Sequence, residues 1–132
     1  MVYQFEFDPV NKILLLRFEG RLTDTLVRTL YWEVRKHSTA IDASVGIFDL
    51  SAVTEFAVSP EMILELANRD PAMPDATKRP RIIVAPAMLG LGVSRLCEIA
   101  VEQRSPLLQI VLSLEEAFAA LGVQSPHFEP LE

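Results

Sequence analysis

One cysteine, two histidines and no long apolar run set the first limits on this chain. Cys97 has no second cysteine to pair with, so an intrachain disulfide is excluded. Its neighbours, Ser94-Arg95-Leu96 and Glu98-Ile99, suggest a helical position where a buried, inert thiol is the expectation. His37 and His127 have no His, Cys or carboxylate at metal-ligand spacing, so a metal site is not expected. Hydrolysis through a Ser or Cys nucleophile needs a positioned His and an acid. Both histidines fall away from the strand ends where such a cluster would sit, and no catalytic residue is assigned.

No apolar stretch reaches the ~18–20 residues of a membrane span. The opening Met1-Val2-Tyr3-Gln4-Phe5-Glu6 lacks the basic and apolar regions of a signal peptide, which makes a cytoplasmic protein the simplest expectation. Basic charge is also scarce, with 12 Lys and Arg against 18 Asp and Glu and a net charge of −6. That balance argues against nucleic acid as a partner and against docking on an anionic membrane. Gly90 and Gly92, in Ala85-Pro86-Ala87-Met88-Leu89-Gly90-Leu91-Gly92, have neither a nucleotide-binding spacing nor a Gly-Lys-Ser ending. Close packing of a helix is their expected role, and no cofactor is expected.

What the chain does have is apolar content: 50% of its 132 residues, with a mean hydropathy of +0.26. A chain of this length fits one domain with a substantial core. The surplus must enter that core, a subunit interface such as a homodimer's, or a pocket for an apolar small ligand.

Tyr3, Phe5 and Phe7 alternate with Gln4, Glu6 and Asp8, the period-two pattern of a half-buried strand. Asp8-Pro9-Val10-Asn11-Lys12 supplies turn chemistry, and Ile13 to Phe18 reads as the second strand of a hairpin. Thr23 or Asp24 can cap a helix whose apolar face carries Leu26, Leu30 and Val34. Val45 to Leu50 is a short apolar strand, followed by an exposed connection. Ser59 then fits an N-cap, with Pro60 at the first helical position of a second helix. Residues from Asn68 to Pro80 read as a loop, Arg81 to Ala85 as a strand, and Met88 to Gln103 as a third helix. Leu107 to Leu112 is a last strand. Ser113 and Glu116 make a capping box for a final helix, and Gly122 stops it. The order ββαβαβαβα predicts an α/β domain over residues 1–123, with a mixed, mostly parallel five-stranded sheet and about four helices. Residues 124–132, with two prolines, are expected as an extended tail.

This order, with several local words, resembles the STAS domain (sulfate transporter and anti-sigma factor antagonist), particularly its small stand-alone bacterial relatives. Phe18-Glu19-Gly20-Arg21-Leu22-Thr23 resembles the Gly-x-Leu-Asp turn after the family's hairpin, with Thr23 in place of the Asp and Asp24 directly after it. Val45-Gly46-Ile47-Phe48-Asp49-Leu50-Ser51-Ala52-Val53 resembles the strand that carries the Asp-Leu-Ser-x-Val word. Arg81-Ile82-Ile83-Val84-Ala85-Pro86 and Leu114-Glu115-Glu116-Ala117 match the fourth strand and the start of the last helix. The resemblance implies a non-catalytic regulatory domain that binds a protein partner. Anti-sigma antagonists carry a phosphorylatable Ser or Thr in an Asp-Ser-Ser-Gly word at the start of the second helix. The equivalent region here, Ala57-Val58-Ser59-Pro60-Glu61, lacks both the Asp and the Gly.

Ser59 therefore has two readings. As a plain N-cap it contributes about 0.5–2 kcal/mol. As a phosphoacceptor it would add up to about −2 charge and rewrite a binding surface. Pro60 and the missing word favour the cap, and Glu55 and Glu61 would repel an added anion. Ser51 and Thr54 are weaker acceptors in the same connection. Asp49, at a strand end, is expected to bind turn amides. Phe56, Val58, Met62, Met88, Leu89 and Leu91, with Met73, suggest an adaptable apolar surface around the helix starts, as core, partner groove or apolar pocket. Arg79, Arg81 and Arg95 could add an anion contact there.

Overall fold

A computed structural model of the chain describes residues 3–41, 43–67, 80–85 and 108–131. The chain opens with strands β1 (Tyr3–Asp8) and β2 (Ile13–Thr23), followed by helix α1 (Asp24–Ala40). Strand β3 (Val45–Ala57), helix α2 (Pro60–Ala67) and strand β4 (Arg81–Val84) come next. Strand β5 (Leu108–Val111), helix α3 (Leu114–Leu121) and strand β6 (Glu129–Pro130) complete the described elements. They form one sheet in the order β5-β4-β3-β2-β1-β6. β2, β3, β4 and β5 run parallel to one another, whereas β1 is antiparallel to β2 and β6 antiparallel to β1.

The predicted α/β class, the parallel majority and the antiparallel first hairpin are therefore present. The sheet has six strands instead of five because the tail returns to it. Glu129 and Pro130 pair with Phe7 and Glu6, and the Leu131 N–H donates to the Phe5 carbonyl. The third helix expected over Met88–Gln103 lies outside the described residues, as does most of the loop expected over Asn68–Pro80; three helices occur among the described residues.

Alternation along the strands divides the core between two faces. Leu14, Leu16 and Phe18 of β2, with Phe5, Leu50, Val53 and Ile83, pack with Leu26, Val27, Leu30 and Val34 of α1. Ile13, Leu15, Ile47, Ile82 and Val84 pack on the other side with Ala117 and Phe118 of α3, and with Val123 and Phe128. Leu15 and Val84 have no exposed surface at all. Burial of side chains of this size stabilises the fold by about 1.5–3 kcal/mol each.

The tail is also held at its start. Asp8, fully buried, accepts from the N–H groups of Val10 and Asn11, from Asn11 Nδ2 at 2.7 Å, and from the His127 N–H at 3.1 Å. One carboxylate thus closes the β1–β2 turn and anchors residues 119 positions away. Burial raises the Asp8 pKa, but the hydrogen bonds from Asn11, His127 and Val10 outweigh it and hold the carboxyl below its ordinary value.

Candidate functional site

β2 and β3 run on past their other neighbours. Among the described residues β1 pairs with β2 as far as Phe18 and β4 pairs with β3 as far as Val84 opposite Asp49, yet β2 and β3 stay paired to Thr23 and Ala57. Residues after Leu50, expected as an exposed connection, are thus strand. Two register shifts explain the difference. Arg17 faces Asp49 but Glu19 faces Ala52, and Gly20 faces Val53 but Arg21 faces Glu55. Each shift gives β3 one extra residue. The core-facing positions of β3 become Phe48, Leu50, Val53 and Phe56, so strict alternation ends at Leu50. Gly20 sits between the shifts at φ +89°, a conformation open to glycine and strained for a residue with a Cβ.

Asp49 belongs to the first shift. It is almost fully buried, and its Oδ1 accepts from the Ser51 N–H at 3.0 Å and from the Ser51 hydroxyl. The amide displaced from the ladder is thereby satisfied, the local backbone role that its residue type suggests. Arg21 and Glu55 pair across the extended ribbon.

The ribbon delivers two helix starts side by side. Thr23, in extended conformation, caps α1 by accepting from the Leu26 N–H at 3.4 Å. This leaves the Asp24 side chain available to α2. Asp24 Oδ1 accepts from the Ser59 N–H and Oδ2 from the Ser59 hydroxyl, each at 2.7 Å. Ser59 Oγ in turn accepts from the Met62 N–H at 3.1 Å, capping α2 as Pro60 predicts. A hydroxyl, a carboxylate and two helix N-termini therefore converge. The two hydrogen bonds from Ser59 hold Asp24 below its ordinary pKa, and the charge of Arg28 adds to the effect. Arg28 also ties α1 to α2 through an ion pair with Glu65, Nε to Oε2 at 3.4 Å.

Phe56 and Val58, expected at an interaction surface, are half-buried and pack against the cluster under α1. Met62, expected there too, is 1% exposed and so serves packing, which removes it from the surface. Met88, Leu89 and Leu91 lie outside the described residues, as do Met73, Arg79, Arg95 and Cys97. Arg81 begins β4, and its Nε is buried without a hydrogen-bond partner among the described residues. Thr54 is exposed on the ribbon, and Ser51 already donates to Asp49.

His37 packs on the Phe5 ring at a centroid separation of 4.3 Å, and burial lowers its pKa against the opposing charge of Glu33. His127 contributes its backbone N–H to Asp8. No group of three or more His, Cys, Asp or Glu that could hold a metal occurs among the described residues. No helix among them is long and apolar enough to cross a membrane.

The residue that composition and spacing missed is Asp24. It lies 35 positions from Ser59, and its sequence signals, a candidate helix cap beside the Gly-x-Leu-Asp-like turn, do not point to that partner.

Two solved structures are among those that share this fold. The structure of the anti-sigma factor antagonist SpoIIAA in its unphosphorylated form aligns with 91% of this chain and 97% of its own, with a TM-score of 0.58 and 11% identity. The structure of the Bacillus cell fate determinant SpoIIAA in the phosphorylated form aligns with 90% of this chain and 98% of its own, with a TM-score of 0.55 and 15% identity. The STAS fold expected from the local words is thus the fold of the chain. No family model and no curated protein matches the sequence.

Proposed function

We propose that this chain is a non-catalytic regulatory domain that acts by binding a protein partner, with the paired starts of α1 and α2 as its working surface and Ser59 as its switch. The observation that carries the reading is the Asp24–Ser59 pair, set in a fold shared with an anti-sigma factor antagonist. The hydroxyl proton of Ser59 already points at Asp24 Oδ2. A partner kinase would join the γ-phosphoryl of a nucleoside triphosphate to Ser59 Oγ, break the bond to the leaving diphosphate, and release the hydroxyl proton toward that carboxylate or to water. The product would set a phosphate of up to about −2 charge against Asp24 and near Glu55 and Glu61. Repulsion among these groups would loosen the contact between the two helix starts, and the helix dipole of α2 would offset part of it. A surface competent for a partner in one state would thereby be altered in the other.

Phosphoproteomic mass spectrometry of the chain purified from its native host is the direct test. A phosphate on Ser59 that disappears in Ser59→Ala, together with a partner retained by one form only, is the expected result. A chain free of phosphate on Ser59, Ser51 and Thr54 under all growth conditions removes the switch.

A further inference from the structure

Arg28 stands one turn along α1 from Asp24, the i, i+4 spacing that puts two side chains on one face of a helix. Its charge already bears on the Asp24 carboxylate, and its Nε lies 3.4 Å from Glu65 Oε2 of α2. One exposed guanidinium thus serves two carboxylates, one at the Ser59 contact and one that ties the helices together. Arg21 is the other cation close in sequence, but it lies across the ribbon. Leu22 and Phe56 pack into the cluster under α1, so by strand alternation their neighbours Arg21 and Glu55 point to the opposite face, where they pair. Among the described residues, the first two turns of α1 and of α2 contain no cation besides Arg28.

Phosphorylation would change what Arg28 faces. It consumes the hydroxyl hydrogen that Asp24 Oδ2 accepts at 2.7 Å. In its place come up to about −2 charge and three acceptor oxygens. The Arg28–Glu65 pair is half open to solvent on both sides, the kind of ion pair that holds weakly. A phosphate takes the guanidinium fork through two parallel charge-assisted bonds. The dianion therefore outcompetes a single carboxylate for the same cation.

We infer that Arg28 reads the phosphate: when Ser59 is phosphorylated, its guanidinium leaves Glu65 for the phosphate and releases the ion pair between α1 and α2. The inference rests on the Ser59 reading and supplies its transmission step. Modification at one atom of the α2 cap would thereby undo a contact further along both helices, and the altered surface would include α2 beyond its first turn.

Phosphoserine placed at position 59 of the full chain during synthesis, through a reassigned stop codon, tests this without a kinase. The phosphate is titrated by phosphorus NMR around the second pKa of phosphoserine, about 6. Asp24 on α1, Glu61 on α2 and Glu55 on β3 raise that value, and the α2 N-terminus and Arg28 lower it. All but Arg28 are common to the variants compared. Arg28→Gln, with its fold verified by circular dichroism, should raise the phosphate pKa by about half a pH unit or more. Arg28→Lys, which keeps the charge and loses the fork, should fall between. Arg21→Gln, which removes the same charge from the other face, should move it much less. The Arg28 Nε–H resonance should follow the phosphate titration in the phosphorylated chain. Equal changes in Arg28→Gln and Arg21→Gln, or an Arg28 resonance blind to the phosphate, would overturn the inference and leave the switch intact. Absence of Ser59 phosphate in the native host would remove the switch and leave this result untouched, so the two readings fail separately.

Discussion

Asp24 grips Ser59 twice, through its backbone N–H and through its hydroxyl, each at 2.7 Å and across 35 residues of chain. The contact spans two helix starts and makes the cap of α2 depend on the first residue of α1. Ser59→Ala removes both the cap and one of these bonds, and should destabilise the protein by about 0.5–2 kcal/mol in urea unfolding. Asp24→Ala should lower the urea midpoint too. The double variant should lose less than the sum of the single losses, because both substitutions break the same contact. Strict additivity would mean that the pair is not coupled.

Met62 separates packing from recognition. Its side chain is 1% exposed, so Met62→Ala should cost about 2–5 kcal/mol by leaving a cavity. Partner affinity measured well below the melting temperature should be unchanged. A small loss of stability with a large loss of binding would return Met62 to the surface.

Acid should act in two windows. Burial depresses the His37 pKa from its ordinary 6.5, so the unfolded chain takes up that proton first. The stability this contributes is complete above 6.5 and fades as pH falls through the lower folded value. Asp8 and Asp24 are depressed from 3.8, and their contributions fade only as pH falls below that value toward their folded ones. His37→Phe should flatten the upper window, and Asp8→Asn the lower one. Denaturation at a series of pH values checks both, and proton resonances of His37 should titrate below 6.5.

Gly122 ends α3 with φ +70° and has open space where a Cβ would stand. Gly122→Ala should therefore cost about 1–2 kcal/mol from backbone strain alone. Gly122→Asn should cost less, since Asn tolerates this conformation. Thermal unfolding of the two variants distinguishes strain from a steric clash, which would penalise the larger Asn more.

Local signals were readable where one turn of chain contains both partners. Ser59 with Pro60, Thr23 before α1, and Ser113 with Glu116 all mark helix starts, and the Ser113 hydroxyl accepts from the Glu116 N–H at 3.2 Å. Gly122 likewise stops α3 where expected. The extended ribbon was hidden because two added residues break the alternation of β3 after Leu50. The spacing from Leu50 to Val53 to Phe56 resembles neither a regular strand nor a helix face. Asp24 was visible as a helix-start residue, but nothing local couples it to Ser59. The tail was hidden for a further reason. Ser125-Pro126 and Glu129-Pro130 read as chain that cannot join a sheet, yet proline is accepted in an edge strand.

The docking of that tail has a consequence for how the protein is born. β1 leaves the ribosome well before the segment that seals its outer edge, Glu129 to Leu131, has been made. Until that segment emerges the nascent hairpin presents an open strand edge, and Asp8 lacks its donor from His127. Chains truncated before Glu129 would keep that edge open for good, a template for aggregation that the folded protein conceals with a strand of two residues.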